Sequence, residues 1–451
     1  MDIPSNHQQT PGVSLREQHR SSIRAVSAST IGSVLEYYDF FVFGTLSALV
    51  FSHVFFPQGS PGVGAMLAMA TFAVGFVARP LGGIILGHFG DKIGRKRVLL
   101  FTFMLTGIVT VLIGFLPTYA QVGMAAPALL VLLRVLQGVG IGGEWGGAAL
   151  LAVEHAPANR RGLYGSIVQA GAPVGVLLAS GVVALLTATI GLDAIIAGGW
   201  RIPFLGSAVL LIVGLFLRFK VDETPEFNAV KDKKQEAKLP VIEALRRYPK
   251  EIVSAIFIHM SDTTLGLVQG VFVLGYASGV LGMDPTLVLL ANMFSSVCNL
   301  IITPIAGHLG DRLGQKRILT VGLVLMGLWA FPMFWLIGTA TVWGLFTATG
   351  VCGMLVGLLF SQQATLFADM FHPSVRYSGM SMGFQVGTVI GGGFGPLIAQ
   401  GLTTATGGAT WSVSTYILFV AMLALVATLL VKPRFGSHAH GLSVPVPART
   451  R

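Results

Sequence analysis

Two carboxylates, Glu36 and Asp39, stand three residues apart inside a long apolar run. In a helix that spacing projects both from one face at neighbouring heights. At low dielectric two such groups cannot both ionise easily, so one is suited to load and release a proton near neutral pH. Asp39 lies deeper in the run and is the first candidate; Glu36 either modulates it or binds a ligand. His259 and Asp262 repeat the spacing in a later apolar run, although a lone histidine in an apolar helix is more often a satisfied structural group. Arg79 and Arg134 lie mid-way along two further runs. Arginine stays protonated in any surroundings and grips a carboxylate with two parallel hydrogen bonds, so a pair of them favours an anionic or zwitterionic ligand.

Glu144, ten residues after Arg134, is a third candidate for proton transfer. If Glu36, Asp39, Arg79, Arg134, Glu144 and Asp262 lie in membrane helices, each costs at least about 2–3 kcal/mol facing lipid, and each must face a wet cavity or a partner. Charge pairing that merely holds helices together is the alternative for any one of them, Arg134 with Asp39 or Glu36 for instance. The two readings are compatible, because a proton arriving on the acid would release the arginine to take a ligand. Gln169 and Gln385 are candidates either to line a cavity as neutral hydrogen-bonding groups or to join helices. Tyr38 and Trp145 are candidate cavity walls, with packing as the plainer reading. Gly138, Gly142 and Gly146, spaced by four, fit close helix approach better than ligand binding.

The elements that must position these groups follow from composition. With 53% hydrophobic and 11% charged residues in 451, and a mean hydropathy of +0.76, the chain has room for about a dozen membrane helices. Twelve spans are expected, near 25–51, 64–89, 97–117, 124–153, 162–188, 202–220, 251–277, 286–310, 317–338, 342–369, 376–403 and 411–431. Lipid offers the backbone no hydrogen-bond partner, so all must be helical. All but three of the 29 Lys and Arg fall in the termini or in alternate interhelical segments, which places both termini in the cytoplasm. Basic charge is therefore a topology signal, and no compact basic domain remains to bind nucleic acid. The first apolar stretch continues to Phe56, too long for a cleavable signal. Cys298 and Cys352, both inside spans, make neither a disulfide nor a metal site.

The chain also repeats itself. GHFGDKIGRKR, Gly87 to Arg97, returns 220 residues later as GHLGDRLGQKR, Gly307 to Arg317. Pro157, Arg160, Gln169, Gly171 and Gly175 match Pro373, Arg376, Gln385, Gly387 and Gly391 at an offset of 216. The expected organisation is a tail (1–24), a six-helix bundle (25–220), a polar linker with a short surface helix (221–250), a second bundle (251–431) and a disordered tail (432–451).

On these residues the chain resembles the major facilitator superfamily along nearly its whole length. Gly87, Asp91, Gly94, Arg95 and Lys96 match its signature loop, and Arg134, Gln137 and Gly138 its fourth-helix signature. More narrowly it is similar to the metabolite:proton symporter group, through Glu36-Tyr37-Tyr38-Asp39-Phe40, Ala78-Arg79-Pro80, Gly142-Gly143-Glu144-Trp145-Gly146-Gly147 and Glu223-Thr224-Pro225-Glu226-Phe227. The resemblance implies an all-α membrane fold of two pseudo-symmetric six-helix bundles with a substrate site between them near mid-membrane. It implies proton-coupled uptake of an organic acid, or of a zwitterion such as proline or betaine, across the bacterial inner membrane. The proton is the coupling ion; no cofactor is expected, and the carrier is expected to act as a monomer.

From their types and places in the apolar runs, substrate binding is expected of Arg79, Arg134, Glu36, Tyr38, Gln137, Gln169 and Gln385, and proton coupling of Asp39, Glu36, Glu144, Asp262 and His259. By the resemblance, gating falls to Asp91 and Arg95, with Asp311 and Arg312 in the second copy, where Gln315 replaces the arginine of the first. Drug efflux is disfavoured because Ala172-Pro173-Val174-Gly175 matches the antiporter signature poorly. The C-terminal tail lacks the heptads of osmosensing betaine carriers, which lowers that reading. No nucleophile–base arrangement or metal-ligand cluster supports an enzyme.

Overall fold

The computed structural model describes residues 15–56, 61–219 and 240–431. The described residues form twelve helical spans. The first six are α1 (Leu15–Leu46, extended by a π-turn, Ser47–Phe51), α2 (Pro61–Ile93), α3 (Arg95–Gly114), α4 (Ala125–His155), α5 (Arg161–Gln169 continuing as Gly171–Ala194) and α6 (Arg201–Phe219). The second six are α7 (Pro249–Leu267, π-turn Val268–Phe272, Val273–Gly279), α8 (Pro285–Leu313), α9 (Gln315–Gly338), α10 (Val342–Met370), α11 (Arg376–Thr388, π-turn Val389–Gly393, Gly395–Ala405) and α12 (Trp411–Leu430). Ten of these are long and apolar enough to cross a membrane. The other two are α1, which carries Glu36 and Asp39, and α2, whose apolar stretch is Val74–Gly90. Most of the expected linker, residues 1–14 and the expected C-terminal tail lie outside the described residues; 15–24, expected as tail, are helical and begin α1, and a short helix, Pro240–Arg247, precedes α7.

The two halves pack alike. Within each, the second helix lies along the fourth (α2 on α4, α8 on α10), and between halves α2 meets α11 while α5 meets α8. Glycine permits the close pairing: a Cβ at Gly138 would strike the Gly75 carbonyl and one at Gly142 the Arg79 carbonyl. The signature loops turn on Gly94 (φ 110°) and Gly314 (φ 95°), conformations that a side chain would strain. Large apolar side chains such as Leu328, Trp335, Phe216 and Trp343 point outward, as a bilayer-facing surface requires. Polar and charged groups turn inward, and their placement defines the site.

Candidate functional site

A cavity of about 190 Å³ lies between the halves. α1, α2 and α5 form one wall and α7, α8, α10 and α11 the other. On the first wall Arg79 meets Glu36 at 3.5 Å, both buried. The guanidinium sits between Phe40 and Phe76, 5.3 and 4.9 Å from their ring centres. One ion pair leaves most of the five guanidinium donors able to turn to a ligand, while the rings hold the group in place through cation–π attraction.

Asp39, three residues from Glu36 on the same side of the helix, lies behind the cavity wall. It is fully buried inside the first bundle, where its Oδ2 accepts from Gln137 Nε2. Gln137 also donates to Thr110 at 2.9 Å and accepts from Arg134, whose guanidinium lies 3.9 Å from the Phe43 ring centre. Asp39 Oδ1 has no hydrogen-bond partner among the described residues. The acid is thus held beside a fixed cation but behind the cavity wall. Glu144 is also withdrawn: it pairs with Arg218 at 2.6 Å, and Arg218 donates to the Leu99 carbonyl and lies over Phe103.

The second wall is built differently. Gln363 donates to Asp262 at 2.6 Å and accepts from His259 Nδ1 at 2.9 Å, and His259 and Asp262 approach to 3.4 Å. His259 Nε2 meets the Thr388 hydroxyl at 2.9 Å. Farther along the wall Gln269, Asn292 and Ser295 bond one another beside the π-turn of α7, a feature frequent at functional sites. Together with Asn299 they give the cavity a neutral hydrogen-bonding face.

One end of the cavity is shut. Phe384 of α11 stacks between His259 and Trp145 of α4, with ring centres 3.7 Å away on each side. Gln169 accepts from Trp145 at 3.0 Å and donates to the Phe360 carbonyl, while Gln385 donates to the Gly142 carbonyl. Each glutamine therefore reaches from its own half to the other. Beyond them, at the end carrying the signature loops, Arg161 pairs with Asp369 at 3.0 Å and Arg376 with Glu154 at 2.9 Å. Asp311 accepts from the Gly162 and Leu163 amides at 2.6 and 2.8 Å, meeting the positive end of α5. Tyr377 donates to the Gly143 carbonyl.

Of the residues singled out from the sequence, Glu36, Arg79, His259 and Asp262 line the cavity together. Asp39, Arg134 and Gln137 form one network behind it, and Gln169 and Gln385 lie beneath it. Tyr38 corrects the expectation of a cavity wall: it packs inside the first bundle and donates to the Pro203 carbonyl at 2.9 Å, while Tyr37 takes the lining position. A three-residue step keeps Glu36 and Asp39 on one side of α1, but the wall of the cavity passes between them. Arg312 is exposed beside Asp311, and the side chains of Asp91 and Arg95 lie outside the described residues. Sequence reasoning missed Arg218, at the end of the sixth expected span, and the Arg161, Asp369, Glu154 and Arg376 clamp. The 216-residue echo of Arg160 in Arg376 was the available signal for that clamp.

Comparison with known proteins agrees with this architecture. The family model described as "Sugar (and other) transporter" matches residues 25–263, and that described as "Major Facilitator Superfamily" matches 252–448. The chain is similar to the shikimate transporter of Escherichia coli (strain K12), 40% identical over 412 residues, covering 91% of this chain and 94% of that protein. It is also similar to the glycine betaine/proline/ectoine/pipecolic acid transporter of Dickeya dadantii (strain 3937), 30% identical over 418 residues, covering 91% and 83%. Its fold matches the solved proton:xylose symporter bound to 6-bromo-6-deoxy-D-glucose with a TM-score of 0.71 at 17% identity, covering 91% and 95%. The chain belongs to the major facilitator superfamily of membrane transporters.

Proposed function

We propose that the chain imports a small carboxylated metabolite together with a proton, by alternating access of the cavity between its two halves. The observation that carries this reading is Arg79, a permanent cation held by two aromatic rings in the cavity and shared with a single carboxylate, Glu36. Asp39, beside Arg134 and Gln137, is the acid that exchanges the coupling proton for a change in pairing. A ligand carboxylate that takes up the Arg79 guanidinium displaces Glu36, which modulates the charge near Asp39 and so links the two cargoes. The similarity to a shikimate transporter supports an organic acid as substrate.

The basic residues gather at the end carrying the signature loops, which supports placing that end in the cytoplasm of a bacterial cell with both termini. In that orientation the cavity faces outward and the loop end is the closed gate. Both walls come from one chain, consistent with a working monomer. A zwitterionic solute is the second reading, favoured by the 30% relative and by the presence of Arg79, Glu36 and Asp262 in one cavity. Uptake into proteoliposomes of shikimate, 2-oxoglutarate, citrate, proline and betaine, under an imposed inside-alkaline pH gradient, tests both. Accumulation of a carboxylic acid that vanishes when the gradient is collapsed is expected. Failure of every carboxylated compound, or accumulation indifferent to the gradient, would sink the proposal.

A further inference from the structure

We propose that His259 is a proton-carrying group of the second half, and that its imidazolium, stacked on Phe384 and through it on Trp145, holds the loop end of the carrier closed. The inference deepens the proton-coupled reading above by giving one proton a place and a mechanical consequence.

Hydrogen-bond inventory supplies the first support. Gln363 Nε2 donates to the Asp262 carboxylate, so its Oε1 is left to accept and His259 Nδ1 must donate. On the other side of the ring, Thr388 can give its hydroxyl hydrogen to the Phe384 carbonyl at 2.9 Å, and Thr263 its own to the His259 carbonyl at 2.6 Å. Both hydroxyls also lie near Nε2, Thr388 at 2.9 Å and Thr263 at 3.3 Å, and each can turn either a lone pair or its hydrogen toward the ring. The ring is therefore accommodated by these partners either as the neutral Nδ1–H tautomer or, with Nε2 also donating, as the imidazolium. Asp262 at 3.4 Å supplies its counter-charge.

The stack supplies the second. His259 and Phe384 lie 3.7 Å apart at 19°, and Phe384 and Trp145 3.7 Å apart at 11°. A cation on the face of an aromatic ring is attracted to it, and the neutral ring much less so. Trp145 belongs to the first half and Phe384 to the second, so opening the loop end must part them. Charge on His259 therefore favours the closed seal. The proton comes from cavity water onto a ring nitrogen and returns to water from it; no other bond changes. Held this way, a proton that arrives without substrate keeps the gate shut, and leak is suppressed.

The other charged or titratable groups that face this region are Asp262 on α7 itself, Glu36 and Tyr37 on α1, Arg79 on α2 and Tyr416 on α12 beside Thr264. Phe384 and Thr388 of α11, Gln363 and Phe360 of α10 and Trp145 of α4 are neutral.

The test needs no substrate, which separates it from the transport reading. Spin labels on Asn159→Cys and Arg317→Cys, exposed on opposite halves at the loop end, are placed in a Cys298→Ala/Cys352→Ala background of the full chain in lipid nanodiscs. Electron–electron distance distributions are recorded from pH 8 to 5. The short-distance, closed population should rise about three- to tenfold relative to the open one as histidine charges. His259→Gln should remove that rise, whatever residual slope the loop-end histidines contribute. Phe384→Leu should also flatten it while the charged-imidazole signal of His259 in ¹⁵N-histidine spectra persists. A pH response unchanged in His259→Gln overturns the proposal; so does a Phe384→Leu response equal to that of the parent. Should His259→Gln fail to fold, the Phe384→Leu comparison decides alone.

Discussion

Asp39 and Asp262 occupy the same place in the two halves, three residues after Glu36 and His259 on the first helix of each bundle. Each accepts a hydrogen bond from a glutamine on the fourth helix of its bundle, Gln137 or Gln363. There the likeness stops. Gln137 is held by Arg134, and the first-half acid is shut inside its bundle; Gln363 is held by His259, and the second-half acid borders the cavity. One half backs its carboxylate with a permanent cation and the other with an imidazole. Two copies of one scaffold have thus diverged in the partner set around the carboxylate and in its access to the cavity, and that difference is where substrate binding and proton handling can be divided.

The comparison breaks most severely at the buried pair Glu144–Arg218. It has no counterpart in the second half, where the position matching Glu144 is the apolar Phe360. Removing one partner, as in Glu144→Ala or Arg218→Ala, leaves the other charge buried and should cost about 3–5 kcal/mol. The variants should lose most of their yield and melt earlier in detergent, whereas Glu144→Leu combined with Arg218→Met should recover much of it. Normal melting of both single variants would show that the pair is dispensable.

Arg79 comes next. Arg79→Ala should lower the initial uptake rate of the carboxylated substrate on the order of 100-fold, the loss expected when a charge-assisted grip worth about 3 kcal/mol disappears. Arg79→Lys should recover only part, because a point charge does not reproduce the fork. Asn299, at the position in the second half that corresponds to Arg79, is neutral. Asn299→Ala should therefore change the apparent KM only a few-fold, by one neutral hydrogen bond worth about 1 kcal/mol. Equal effects at the two positions would erase the asymmetry. At the loop end, Asp311→Asn keeps the shape but halves the attraction to the α5 amides, and it should raise solvent labelling of a cysteine placed beneath the clamp about two- to fivefold.

Much of the architecture was legible because lipid leaves few options. Twelve apolar runs must be helices, the repeated loop and its glycines mark two halves, and charges inside the runs must turn inward. Glu36, Arg79, His259 and Asp262 follow from that logic and do share the cavity. What spacing could not supply was the rotation of each helix about its axis. Tyr37 and Tyr38 are adjacent, yet one lines the cavity and the other reaches Pro203. Arg218 sits in the last turn of α6, at the end of the sixth expected span, and only packing against Glu144 removes it from water. The neutral wall of Gln269, Asn292 and Ser295 carries no charge to draw attention in an apolar run.

The central claim is that the first-half acid couples the proton while the cavity binds the substrate, and Asp39→Asn tests it most directly. Net uptake driven by a pH gradient and counterflow exchange without one are measured side by side in the same proteoliposomes. The neutral variant should lose gradient-driven accumulation and retain counterflow close to that of the parent, because binding and alternation survive when the coupling carboxylate no longer cycles. Loss of counterflow as complete as the loss of net uptake would contradict the account and make Asp39 a structural or substrate-binding residue.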